Sequence, residues 1–219
     1  MALGDTYNWS PLDLTPGAHW SMGRQRHRFF DGLVSYLVAV ASIGAALGAQ
    51  SMRSQGSWAA NETIVLNSTG RIADIGLVLH PKSLMDELAR ERWPQSLMFV
   101  VETADPQSRA AWSDEDGPNL EGLLLRAAFV QYVETIRPQL PPGSYPLWDF
   151  GRVVRNAFVH DGKIDIRKPR DEPVSWRGIT YGPADNGRQV LGHDLAAVEL
   201  VMLMREMDDV GQSSPRGAP

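Results

Sequence analysis

Apolar positions recur at helical spacing over much of this chain. Residues 24–52 are mixed at first and then apolar nearly all round, which predicts a central, buried helix. Within it Gly44 and Gly48 permit close packing. The uncharged stretch 33–49 is shorter than the roughly 20 apolar residues of a membrane span, so a core helix is expected over a span. Ser83-Leu84-Met85-Asp86 has capping-box spacing and opens a second helix that stops at Trp93-Pro94. Asn119 can cap a third, ending at Arg137-Pro138, with Leu120, Leu123, Leu124, Ala127, Val130 and Val133 as its apolar stripe. Residues 146–159 place Leu147, Phe150, Val154, Ala157 and Phe158 on one face, and Asp194 can open a last helix ending near Met207.

Alternation with a period of two is scarcer. Residues 63–66 and 75–79 have strand-like composition around Asn67-Ser68-Thr69-Gly70 and suggest a hairpin or an insertion. Residues 96–103 suit a short helix or a strand. Residues 163–166 and 174–181 alternate like two short strands around Lys168-Pro169-Arg170. With four or five helices and one short hairpin, the expected fold is mainly α, a helical bundle. Its organisation is an irregular N-terminal arm (1–23), one helical domain (24–210) and a disordered tail (211–219).

Composition narrows the chemistry. There are no cysteines, which removes disulfides, thiolate metal sites and cysteine nucleophiles, and which suits a reducing compartment. No secretory leader is visible in the first thirty residues, so a cytoplasmic location is expected. The net charge of −5 argues against coating nucleic acid by charge alone. Residues 151–170 nevertheless hold six cations (Arg152, Arg155, Lys163, Arg167, Lys168, Arg170) against Asp161 and Asp165. That local +4 leaves −9 for the remainder and suits a small anionic site.

Phosphate-cradling glycine loops and G-x-S-x-G are absent from the chain. His19, His27, His80, His160 and His193 are scattered without a ligand spacing, so neither a metal nor a cofactor is expected. Arginine followed by histidine five positions later occurs twice, as Arg155/His160 and Arg188/His193. The second lies in a glycine-containing connection, where His193 can be a cap or surface residue. The first closes an amphipathic helix, with Asn156 directly after the arginine. Five positions on an ideal helix leave a net rotation of about 140°, which splays the two side chains until the Asp161-Gly162 stop loosens the turn.

Arg155-Asn156-Ala157-Phe158-Val159-His160-Asp161-Gly162 resembles the signature of HEPN domains, in which an arginine and a polar residue precede a histidine by a few positions. The match is close over the signature and loose over the helical outline of residues 24–207. The resemblance implies a helical bundle that forms a homodimer and acts as a metal-independent endoribonuclease, in a toxin–antitoxin, defence or RNA-processing setting. It also implies an antitoxin or other protein partner, or else a non-catalytic module that binds RNA, nucleotide or protein.

The residue types suit that chemistry. Without a metal, the RNA 2′-hydroxyl attacks the adjacent phosphorus, and the step needs a base for that proton and an acid for the leaving 5′-oxygen. An imidazole serves either role near neutral pH. His160 is the expected acid/base, Arg155 the phosphate clamp, and Asn156 an orienting group. Arg152, Lys163 and Arg167 are expected to extend the substrate-binding surface. Trp176 and Tyr181 either stack on bases or, more simply, pack in the core.

Overall fold

A computed structural model describes residues 12–52, 63–104, 120–140, 145–166 and 172–213 of the chain. It corrects the expected mainly α bundle. Among the described residues five α-helices accompany a four-stranded antiparallel sheet and a separate two-stranded hairpin, so the fold is mixed α and β. The sheet runs β1 (His19–Gly23), β4 (Ser96–Thr103), β3 (Ile75–Leu79), β2 (Ile64–Asn67) in spatial order, every pair antiparallel. Its β2–β3 hairpin is one of the two alternatives read from the sequence, and residues 96–103 form a strand.

The sheet exists because alternation is obeyed in three dimensions. Trp20 and Met22 of β1 pair with Phe99 and Leu97 of β4, and all four are buried, whereas His19, Ser21, Ser96 and Met98 face outward. Two things hid this in the sequence. β1 occupies only five residues inside an arm rich in proline and glycine, and the outward side of β4 carries the apolar Met98, 60% exposed.

The last helix packs on β2 and β3, and the other helices pack on it and on one another. α1 (Phe30–Met52) is preceded by turns at Arg24–Arg26, and it buries Phe30, Leu33, Val34, Leu37 and Ala41 at helical spacing. No helix among the described residues is long and apolar enough to cross a membrane. α2 (Pro81–Ala89) is short and lies against α1. α3 (Leu120–Ile136) buries Leu125, Phe129, Tyr132, Val133 and Ile136, while Leu123 is exposed. The stripe is thus rotated from the expected one, because the bulky aromatic residues remove more apolar area from water than the leucines opposite. Asn119, the expected cap, lies outside the described residues.

α4 (Pro146–Val159) has the expected bounds and buries Phe150, Val154, Ala157 and Phe158 together with Trp148 and Val153. α5 (Ala197–Ser213) starts three residues after Asp194 and runs past the expected end at Met207. It is buried on nearly every side from Ala197 to Met204, since it lies between the sheet and the α3–α4 pair. Gly151 lets α4 approach it closely: a Cβ there would meet Met207 Sδ at 2.6 Å. The Trp148 indole N–H donates to the Met207 carbonyl at 2.9 Å and fixes the same contact.

The last expected hairpin is also corrected. β5 (Val174–Trp176) pairs with β6 (Ile179–Tyr181) across Arg177-Gly178, both with positive φ, as a two-residue turn requires. Residues 162–164 pair instead with 187–190: Ile164 N–H donates to the Arg188 carbonyl and Val190 N–H to the Gly162 carbonyl, each at 2.9 Å. Trp176 and Tyr181 are core residues. Phe150 stacks on Tyr181 with ring centroids 5.2 Å apart and lies 5.7 Å from Trp176.

Candidate functional site

α4 ends in a Schellman-type stop. His160 caps the helix, Asp161 and Gly162 adopt left-handed φ of 57° and 77°, and Gly162 N–H donates to the Ala157 carbonyl at 2.9 Å. Gly162 is favoured there by its backbone, and its surroundings are close. Its φ suits glycine, and a Cβ would strike the Arg126 guanidinium at 2.7 Å and the Gln189 amide at 2.8 Å. The Arg126 guanidinium lies 5.9 Å from the centre of the Phe158 ring, bringing a cation to the negative end of the helix.

This stop positions the motif residues. Arg155 Nη1 donates to the Asn156 side-chain carbonyl at 3.1 Å, and Nη2 pairs with Glu134 of α3. Arg155 Nε is buried without a hydrogen-bond partner. His160 Nε2 lies 3.7 Å from the Asp165 carboxylate, and its ring is 47% exposed. No hydrogen bond or ion pair joins Arg155 to His160 among the described residues. As the helical rotation requires, the two turn to different carboxylates on different elements. Arg152 Nε sits 3.8 Å from Asp149, one turn back along the helix, and Lys163 is exposed. Arg167 lies outside the described residues.

The second arginine–histidine pair is arranged differently. Asp194, whose side chain is fully buried, accepts on Oδ1 from Arg188 Nη2 at 2.6 Å and from Arg71 Nη1 at 2.9 Å. His193 Nδ1 lies 2.9 Å from the same oxygen, and the Tyr181 hydroxyl donates to Oδ2 at 3.1 Å. Burial beside the Asp194 carboxylate pushes the Tyr181 phenol far up. The Asp194 hydrogen bond raises Arg188 further, so its guanidinium is a permanent charge. Arg71 was not singled out in the sequence, and Asp194 was read there only as the opening of the last helix. Only their approach across 123 residues of chain makes them a group, and no local spacing signals it.

A third polar group supports the second. Glu199, buried at the start of α5, accepts from the Ala196 and Thr69 N–H groups at 3.0 and 2.9 Å and from the Thr69 hydroxyl at 3.0 Å. Burial outweighs these bonds and raises its carboxyl. Through Thr69 it fixes the turn that carries Arg71. Among the described residues, no three His, Asp or Glu side chains are grouped to hold a metal ion. No protein-family model, no curated protein and no solved structure matches the chain.

Proposed function

We propose that this protein binds an RNA phosphodiester at the C-terminal end of α4 and cleaves it without a metal ion. The observation that carries the reading is the pairing of a part-exposed imidazole, His160, with a carboxylate, Asp165, at a helix end that also presents the Asn156-held guanidinium of Arg155. The Glu134 carboxylate that engages Arg155 is 55% exposed. An ion pair so open to water is worth about 0–1 kcal/mol, so a phosphate can replace it at little cost. Arg155 then holds the non-bridging oxygens and Asp165 orients the imidazole. His160 takes the 2′-hydroxyl proton as the O2′–P bond forms. The P–O5′ bond breaks, and the departing oxygen takes a proton from a second acid. Products are a 2′,3′-cyclic phosphate and a 5′-hydroxyl.

One imidazole cannot accept and donate in the same step, so the reading calls for a second copy of the chain as the source of the second acid. The resemblance to the HEPN signature supports this chemistry through its residues alone, since the fold is not a helical bundle. The same reading puts the protein in the cytoplasm, with a toxin, defence or RNA-processing role restrained by a protein partner. A second reading, phosphate binding without cleavage, is favoured by the separation of Arg155 and His160, which face different carboxylates and share no hydrogen bond or ion pair among the described residues. Incubation with RNA in EDTA decides between them. The first reading expects cyclic-phosphate ends from wild type and none from His160→Ala or Arg155→Ala. Equal cleavage by wild type and folded His160→Ala overturns it.

A further inference from the structure

The second arginine–histidine pair was left without a role by the reading above, yet it is the better assembled of the two. Its parts come from three places. Arg71 stands on the β2–β3 turn, Tyr181 on β6, and Asp185, Arg188, His193 and Asp194 on the connection into α5. The turn is fixed from below: Ser68 Oγ donates to the Ala73 carbonyl at 2.7 Å, and Thr69 is bound by Glu199. Arg188 is fixed by Asp185 at 3.1 Å as well as by Asp194. The cationic groups therefore hold their geometry without a ligand.

A single buried carboxylate does not explain the surroundings. One guanidinium compensates Asp194, yet a second guanidinium and an imidazole crowd the same oxygen, and they are not buried with it. Arg71 is 42%, Arg188 29% and His193 54% exposed. A carboxylate oxygen only accepts, so His193 Nδ1 is the donor in that contact, and the other ring nitrogen is left for solvent or a ligand. Arg71 Nη2 then approaches His193 Nδ1 to 3.5 Å with donors on both sides. Two cation-forming groups side by side at the surface, sharing one sunken anion, are open to a second anion from solvent. With His193 protonated, the charges of Arg71, Arg188, His193, Asp185 and Asp194 sum to +1, which one phosphate negative charge balances.

We propose that Arg71, Arg188 and His193, anchored on buried Asp194, form a phosphate-binding site separate from the α4 end. The ligand is one phosphate group, held by the outer edge of the Arg71 guanidinium and by His193 Nε2, with Arg188 behind them. An imidazolium adds a charge-assisted donor that the neutral ring lacks, so binding and protonation of the ring favour one another. The site shares no residue with Arg155 or His160 and does not depend on cleavage there. It nevertheless lies on the strand partner of that helix stop, through the pairing of Ile164 with Arg188.

The test is titration of the full chain with inorganic phosphate, followed through the imidazole ¹⁵N resonances at pH 6 and pH 8. The expected result is a shift of His193 Nε2 that saturates at lower phosphate at pH 6, while His80 does not move. Arg71→Gln should weaken binding at least about tenfold, the usual scale of one charge-assisted contact. Because phosphate itself carries less negative charge at pH 6 than at pH 8, His193→Gln should lose the tighter binding at pH 6; its exposure makes it a variant that keeps the fold. Short RNAs with and without a 5′-phosphate identify the source. Tighter binding of the phosphorylated strand, lost in Arg71→Gln, identifies a terminal phosphomonoester, and equal affinities, both lowered in that variant, identify a backbone phosphodiester. Phosphate binding that is the same in wild type and Arg71→Gln, or a His193 resonance indifferent to phosphate, overturns the site. His160→Ala keeps the response, so loss of cleavage and loss of this site are separable.

Discussion

Arg155 to His160 and Arg188 to His193 have the same spacing and opposite outcomes. The first segment is helical, so five positions turn its side chains apart, and each finds its own part-exposed acid: Glu134, 55% exposed, and Asp165, 32% exposed. The second is a connection bent by left-handed glycines at Gly187 and Gly192, with φ of 85° and 81°. There the chain folds back, Asp194 N–H donating to the Val190 carbonyl at 2.9 Å, and both side chains reach one buried carboxylate. Spacing in sequence is thus a weak guide to a site; the backbone conformation between two residues decides whether they meet. Burial of the anchor decides how firmly they are held.

The comparison is broken most severely at Asp194. Asp194→Ala strands the buried Tyr181 hydroxyl and releases the part-exposed Arg188 and Arg71 to water, and a loss of about 1–3 kcal/mol is expected from denaturant unfolding. A loss under 1 kcal/mol would show the anchor to be ordinary. Gly162→Ala comes next, because alanine is strained at its positive φ and must also displace the ends of the Arg126 and Gln189 side chains, and about 1 kcal/mol should be lost. Gly187→Ala, with equally positive φ but open space around its Cβ position, should cost less, and the difference between the two melting curves measures the collision.

Acid sorts buried groups from exposed ones. Burial lowers the His27 imidazole, so its contribution is complete above the ordinary imidazole range, about 6.5, and is lost as pH falls toward its native value. Glu199 has the opposite sign. Its raised carboxyl makes the folded state hold the proton, so stability falls as pH rises from the ordinary carboxyl range through the native value. Stability profiles of His27→Asn and Glu199→Gln against wild type should therefore differ in slope with opposite signs over pH 4–7. Parallel profiles would contradict both. The smallest effect is expected at Glu134→Gln, about 0–1 kcal/mol and weaker at high salt, because water already screens that pair.

Much of the helical layer was legible in the sequence. The bounds of α4 follow from Pro146 at its start and Asp161-Gly162 at its end, two local signals that the backbone must obey. The β2–β3 hairpin was visible only as one of two alternatives, since strand composition flanks a turn-forming run. The sheet as a whole was not. Trp20 and Met22 mark a strand only when Phe99 and Leu97 lie opposite, more than seventy residues away. The pairing of residues 162–164 with 187–190 was missed for the same reason, and with it the proximity of the two motifs. Arg71 carried no signal at all.

What the chain settled by itself is local: where α4 starts and stops, the left-handed stop that favours Gly162, the two arginine–histidine spacings, and the lack of thiol chemistry. Tertiary structure decided that four strands pair into one sheet and that Arg71 joins Arg188 and His193 over a sunken carboxylate. The division has a physical cause. Dihedral preference and capping act within a few residues, whereas sheet pairing and the burial of a charge depend on partners that only the folded core brings together.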